Sequence, residues 1–107
     1  PNHEAIAAAK MGVVGLARAA AASYARHHLR INAVAPGMVE TPATEQLRAN
    51  EAARKASLSM HPLGRLGQPA DIARAMAFLL DPQNDWITGQ VLTVDGGLSG
   101  IKSPRRQ

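Results

Sequence analysis

Lys10 is the residue of this chain best placed for acid–base chemistry, and Ile6 stands four positions before it. Residues at i and i+4 lie on one face of a helix. An ammonium at position 10 would therefore stabilise a phenolate at position 6 and lower the pKa of that phenol. An isoleucine takes no part in proton transfer, so the pattern pairs a candidate catalytic lysine with an unsuited partner.

Tyr24 and His3 are the other candidate proton donors near this position. Lys10 also has an interpretation without a catalytic role. Tyr24 is the only tyrosine, and a helical rise of about 1.5 Å per residue separates it from Lys10 by about 21 Å, too far to serve. A histidine titrates near neutral pH. We hypothesise that His3, or a water held by Lys10, acts as the proton donor in place of Ile6. Alternatively, Lys10 extends along an apolar helix to solvent.

A second group of candidates follows a short apolar stretch, residues 31–35, which Pro36 and Gly37 close. This stretch is typical of a buried strand, and open α/β sheets bind ligands at the carboxyl ends of their strands. The segment from Pro36 to Thr41 is therefore a candidate binding loop. Thr41 has an alternative role as an N-cap, with Pro42 at the first helical position.

The remaining polar motifs point to structure. Asp95 precedes two glycines after a second predicted strand, residues 90–94, and this pattern predicts a tight turn. We predict no metal site, because the neighbouring His27 and His28 cannot point the same way on a helix. His61 is predicted to lie on the surface, in preference to lining a pocket.

These candidates need a frame of alternating helices and strands. Residues 4–27 predict one long helix with Asn2 as its N-cap. Because small and apolar residues surround this helix, we expect neighbouring elements to cover more than one of its faces. We also expect another backbone to approach closely at Gly12 and Gly15. A polar stretch, residues 41–60, and a helix over residues 69–80 follow. Strand, helix and strand make one crossover with an unpaired edge, half of a larger parallel sheet.

Short motifs along almost the whole chain resemble the short-chain dehydrogenase/reductase family. They include Asn32-Ala33-Val34-Ala35-Pro36-Gly37, Gly64-Arg65-Leu66-Gly67-Gln68-Pro69, Ile87-Thr88-Gly89-Gln90 and Asp95-Gly96-Gly97. The resemblance implies an α/β fold, the carboxyl-terminal half of a Rossmann-type doubly wound parallel sheet. Residues 1–101 would be part of one NAD(P)-binding domain, and residues 102–107 a basic flexible tail.

The resemblance also implies roles for single residues. Lys10 matches the family's lysine, which binds the nicotinamide ribose and lowers the pKa of a catalytic tyrosine, and Ile6 stands at the position of that tyrosine. The backbone of Pro36, Gly37 and Val39 would face the nicotinamide, and Thr41 its carboxamide or the diphosphate. The family's glycine-rich turn, ribose selector and catalytic serine belong to an earlier half, so we expect negligible affinity for NAD or NADP from this chain alone.

The resemblance implies that this chain is part of a longer parent protein. That parent would be a cytoplasmic NAD(P)-dependent oxidoreductase that interconverts an alcohol and a carbonyl and forms a homodimer or homotetramer. The alternatives are a non-catalytic nucleotide-binding or assembly subunit that has lost the tyrosine, and a truncated, inactive relic. The departure at Ile6 keeps all three open.

Composition narrows the remaining classes. The net charge is +4, but the basic residues are dispersed, and one Trp, one Tyr and one Phe offer little stacking surface, so we predict no nucleic-acid partner. The absence of cysteine excludes disulfides and thiolate sites. We predict no membrane span, because basic residues break the apolar stretches: Lys10, Arg18, Arg26 and Arg74.

Overall fold

The computed structural model describes residues 3–102, without the side chain of residue 3. The N-cap role of Asn2, the acid role of His3 and the tail beyond residue 102 lie outside this description. The elements are α1 (His3–Tyr24), β1 (Ala33–Pro36), α2 (Glu45–Ala49), α3 (Glu51–Met60), α4 (Pro69–Leu80) and β2 (Val91–Val94). Short 3-10 helices lie at Ala25–His27, Pro42–Thr44 and Pro82–Asn84.

The predicted order of elements is confirmed, with small shifts at their ends. The long helix passes into the 3-10 turn Ala25–His27, which ends at His28 in the left-handed conformation, with a φ of 60°. The helix from Pro69 to Leu80 begins and ends as predicted. The first strand starts at Ala33, two residues later than expected. The polar stretch before α4 forms the 3-10 helix Pro42–Thr44 together with α2 and α3.

β1 and β2 form a two-stranded sheet. The Ala33 N–H donates to the Gln90 carbonyl over 2.9 Å, and the Gly37 N–H donates to the Val94 carbonyl over 3.0 Å. The offset between donor and acceptor is the same at both ends, so the strands run parallel. The expectation that β1 is buried on both faces is wrong, because its residues are half-buried or exposed within this chain.

The described residues fall into two compact units, and the division crosses β1, α4 and β2. One unit combines the residues up to Val34 with Met76–Leu92, and the other combines Ala35–Ala75 with the residues from Thr93 on. In the first unit, Ala17 and Ala21 of α1 are buried. There the Arg30 guanidinium donates to three backbone carbonyls, those of Leu79, Ile87 and Asp81, over 2.9, 3.1 and 3.3 Å.

Most of α1 is exposed, which corrects two expectations. Met11 and Leu16 expose 67% and 70% of their surface, so neighbours within the described residues do not cover several faces of the helix. Nothing in that part of the chain lies within 4 Å of where a Cβ would stand on Gly12 or Gly15. Close packing at these glycines would need a surface outside the described residues.

The segment Glu4–His27 is long and apolar enough to cross a membrane, with a mean hydropathy of 1.4 over a window that is 11% buried. The prediction of no membrane span counted uninterrupted apolar residues, which this criterion does not test, and it stays a prediction. Lys10 and Arg18 are too few to lower the mean of this alanine-rich helix. The criterion uses length and composition alone, and core helices of globular proteins also meet it.

Asp71 organises the start of α4 in the second unit. Its carboxylate accepts hydrogen bonds from the Gln68 N–H over 2.7 Å, from the Arg65 guanidinium over 2.8 and 3.1 Å, and from Arg74 over 2.9 Å. The bond to Gln68 satisfies a donor at the amino end of the helix that the helix itself leaves free. The hydrogen bonds from Arg65 and Gln68 and the charges of Arg65 and Arg74 hold the pKa of Asp71 well below its usual value.

Asp71→Asn is expected to destabilise the protein at neutral pH. A lowered folded-state pKa gives stability that is present above the unfolded-state pKa of about 4 and is lost as the pH falls towards the folded-state value. The difference in unfolding midpoint between wild type and variant should therefore be largest near pH 7 and shrink below about pH 4. Urea unfolding at several pH values measures it. Asp85→Asn makes the same charge change at an exposed residue without an ion pair in residues 3–102, and a difference equal to that control would contradict the prediction.

Candidate functional site

A cavity of about 360 Å³ lies beside the segment that follows β1, within the second unit. The four residues of this segment predicted to contact a cofactor all line it: Pro36, Gly37, Val39 and Thr41. The other lining residues are Met38, Thr44, Ser57, Met60, His61 and Leu98. The structure thus brings four predicted site residues to one mostly apolar cavity, while their contacts with a cofactor stay a prediction.

We call residues 36–41 the 36–41 loop. Hydrogen bonds fix its backbone on both sides. The Gly67 N–H donates to the Met38 carbonyl over 2.8 Å, and the Glu40 N–H donates to the Gly67 carbonyl over 2.9 Å. The Thr44 hydroxyl donates to the Val39 carbonyl over 2.7 Å. These hydrogen bonds tie the backbone of the loop to Gly67 and Thr44.

Val39 carries the one unpaired amide donor of this loop. The N–H groups of Gly37, Met38, Glu40 and Thr41 each donate a hydrogen bond within the protein. Within residues 3–102, the Val39 N–H has no such partner. Backbone donors away from water are rarely left unpaired. The N–H of half-buried Val39, beside the cavity, can therefore donate a hydrogen bond to a carbonyl oxygen of a ligand.

Thr41 takes the N-cap position that was one of its two predicted roles. It precedes the 3-10 helix Pro42–Thr44, which has proline at its first positions, and its N–H donates to the Thr44 hydroxyl over 3.1 Å. The Arg48 guanidinium donates to the Thr41 carbonyl over 2.9 Å. Thr41 and Thr44 both line the cavity, and their hydroxyls are 3.5 Å apart. Thr41 can therefore cap the 3-10 helix and also contact a ligand in the cavity.

His61 is buried, so its predicted surface position is wrong. Only 4% of its surface is accessible to solvent, and it lines the cavity. Its Nε2 accepts the Met38 N–H over 3.2 Å, and its Nδ1 lies 2.6 Å from the Ser57 carbonyl. No local pattern signals this placement, because Met38 lies 23 positions away in the sequence.

The predicted tight turn at Asp95 is confirmed. Gly96 and Gly97 have φ angles of 60° and 91°, which favour glycine. The Asp95 carboxylate accepts the Gly97 N–H over 3.0 Å and the Ser99 hydroxyl over 2.6 Å. Burial acts to raise the pKa of Asp95, but the hydrogen bonds from Ser99 and Gly97 outweigh it and lower the pKa.

Lys10 and Ile6 belong to the first unit, on α1. Both side chains are exposed, Ile6 by 53%, and they stand one turn apart, as the i, i+4 spacing requires. Tyr24 is the last residue of the same helix, far from Lys10. Among the described residues, no group of three or more His, Cys, Asp or Glu side chains is arranged to hold a metal ion.

Residues 1–99 match a family model described as enoyl-(acyl carrier protein) reductase. The chain belongs to the short-chain dehydrogenase/reductase family. It is 45% identical, over 98 residues, to the 3-oxoacyl-[acyl-carrier-protein] reductase of Thermotoga maritima, covering 92% of this chain and 39% of that relative. The resemblance in the motifs is therefore confirmed.

Solved structures of the family show the same α/β fold. A 4-hydroxyisoleucine dehydrogenase mutant, complexed with NADH and succinate, is 30% identical and superposes with a TM-score of 0.83 over 90% of this chain and 40% of its own. ElxO, solved with NADP bound, is 37% identical, with a TM-score of 0.75 over 83% and 36% of the two chains. This short-chain dehydrogenase/reductase sequence thus spans about two fifths of the relatives that it matches.

Proposed function

We propose that this chain forms the nicotinamide-binding part of an NAD- or NADP-dependent oxidoreductase that interconverts an alcohol and a carbonyl. The observation that carries the proposal is the unpaired Val39 N–H at a cavity lined by Pro36, Gly37, Val39 and Thr41. It is supported by the similarity to a reductase and to structures solved with NADH or NADP bound.

The proposed site residues contact different parts of the cofactor. The Val39 N–H donates to the carboxamide oxygen of the nicotinamide, and the Thr41 hydroxyl binds the same carboxamide or the diphosphate. Pro36 and Gly37 present backbone to the ring. The Lys10 ammonium donates to the ribose hydroxyls. The nicotinamide, when bound, supplies or receives the hydride that moves at the carbonyl carbon.

Thr41→Val tests the cofactor contact in the native polypeptide. The change removes one hydroxyl and keeps the shape of the side chain, so the dissociation constant for NADH or NADPH should rise about fivefold to tenfold, the effect of one hydrogen bond. Cofactor fluorescence titration measures it. Thr93→Val is the matched control, because Thr93 is exposed on β2 and does not line this cavity. Equal affinities for both variants would contradict the proposed site, and tight binding by the 107-residue chain alone would contradict its expected negligible affinity in isolation.

Ile6 favours a second function, a non-catalytic nucleotide-binding or assembly subunit. An apolar side chain that is 53% exposed occupies the place of the proton donor, whereas Lys10 and the 36–41 loop are retained for a ligand. A truncated, inactive relic is the third candidate. The substitution Ile6→Tyr distinguishes a binding subunit from an active enzyme.

The proposal also covers the oligomeric state and the location of the protein. A homodimer or homotetramer would cover the apolar surface of α1 and Trp86, which exposes 97% of its surface, and would suit close packing at Gly15. We place the parent protein in the cytoplasm, without a nucleic-acid or membrane partner. In that setting the long helix is a core or interface helix of the assembly.

A further inference from the structure

His61 connects three segments of the second unit. It directly follows α3, its Nδ1 faces the Ser57 carbonyl within that helix, and its Nε2 faces the Met38 N–H in the 36–41 loop. The ring also packs against the 95–97 turn, because a Cβ on Gly96 would lie 3.9 Å from its Cδ2. Among the described residues it is the one buried polar side chain.

These partners determine the protonation state of the ring. A backbone N–H only donates, so Nε2 must carry the lone pair that accepts the Met38 N–H. A backbone carbonyl only accepts, so Nδ1 must carry the hydrogen that is donated to Ser57. His61 is therefore a neutral imidazole in its Nδ1–H form, with both nitrogens satisfied. Its Nε2 gives no free lone pair to a metal or a substrate.

The position of Met38 makes this bond important for the loop. The Met38 N–H immediately precedes the unpaired Val39 N–H, and Met38 also accepts the Gly67 N–H through its carbonyl. The ring also lies close to Gly37, since a Cβ built there would stand 3.0 Å from His61 Nε2. His61 thus joins the Ser57 carbonyl of α3 to the Met38 N–H, one residue before Val39.

We propose that His61 is a positioning residue that couples α3 to the 36–41 loop and aims the Val39 N–H at the cofactor. This inference rests on the proposed function for its ligand, although the coupling itself is a property of the chain. His61 touches neither cofactor nor substrate in this role. It acts by holding the Met38 peptide in one orientation.

Two variants separate positioning from simple filling of space. A glutamine side chain carries its amide oxygen about as far from Cα as Nε2, so His61→Gln retains an acceptor for the Met38 N–H. An asparagine side chain reaches only as far as Nδ1, so His61→Asn retains the donor to Ser57 and loses the acceptor. Both are neutral and polar, which makes each the control for the other.

The experiment compares both variants with wild type in the native polypeptide. Hydrogen exchange read by mass spectrometry reports the amides of the 36–41 loop without cofactor, and NADH or NADPH titration reports affinity. We expect His61→Asn to speed exchange in the loop and to weaken cofactor binding about tenfold, and His61→Gln to stay within about twofold of wild type, since one hydrogen bond separates them. Thermal unfolding checks that both variants fold.

Equal exchange and equal affinity in the two variants would overturn the inference. If wild type binds no cofactor, the proposed function fails, and the exchange of the loop amides still decides the positioning role. If neither variant folds, the ring ¹⁵N shifts of histidine-labelled wild type decide it. A neutral Nδ1–H ring supports the coupling, and a charged or Nε2–H ring refutes it.

Discussion

Ile6→Tyr is expected to raise the rate of carbonyl reduction by the native polypeptide about 10²-fold to 10⁴-fold, the usual contribution of a positioned general acid. The new phenol would stand one helical turn before Lys10 on α1, where the ammonium stabilises its phenolate form. NAD(P)H oxidation with a panel of small ketones measures the rate. Exposure of the Ile6 side chain by 53% gives the larger ring room on the helix surface.

Two matched variants isolate the chemistry of that hydroxyl. Ile6→Phe adds the ring without the proton donor and should leave the rate at the level of wild type. Lys10→Met, made together with Ile6→Tyr, should remove most of the gain, because the phenol then loses the charge that lowers its pKa. An active wild type with no gain from tyrosine would show that another acid serves, and the binding-subunit function would be rejected.

Gly37→Ala is expected to lower the free energy of unfolding by about 1–3 kcal/mol, the usual cost of overpacking a tight site. A Cβ at this position would stand 2.9 Å from both Cα and Cβ of Asp95 and 3.0 Å from Nε2 of His61. Two of these three atoms belong to a hydrogen-bonded turn and the third to a buried ring, so relief requires movement of the 36–41 loop. Cofactor affinity should therefore fall together with stability, as urea unfolding and fluorescence titration would show.

Gly15→Ala is the matched control for Gly37→Ala. Gly15 lies inside α1 with nothing among the described residues within 4 Å of the added methyl group. Alanine is the better helix former by about 0.5–1 kcal/mol, so this variant should gain stability as a monomer. The same change in sign for both glycines would contradict the steric account of Gly37.

The order of helices and strands was readable from the sequence because its signals are local. Pro69 and Asp71 mark the first turn of α4, and the helix begins there. Apolar stretches closed by proline or glycine mark both strands, although their first residues are shifted by one or two positions. The glycines after Asp95 mark the turn that the structure contains.

Burial was the property that local patterns predicted least well. Small residues around α1 indicated a covered helix, yet Met11 and Leu16 are exposed in this chain, because the surfaces that would cover them do not belong to its described residues. His61 was assigned to the surface, as isolated histidines often are. Its burial depends on an acceptor in its own helix and a donor in a distant loop, which no window of sequence contains.

The sequence by itself determined the family, through its motifs, and the order of helices and strands, through helix and turn signals that act between near neighbours. The roles of Lys10, Ile6 and the 36–41 loop follow from the family resemblance and stay predictions. Only the tertiary structure decided that four loop residues share one cavity, that Val39 keeps an unpaired N–H, and that His61 holds Met38. Each of these depends on hydrogen bonds or contacts between segments that the chain brings together only when it folds.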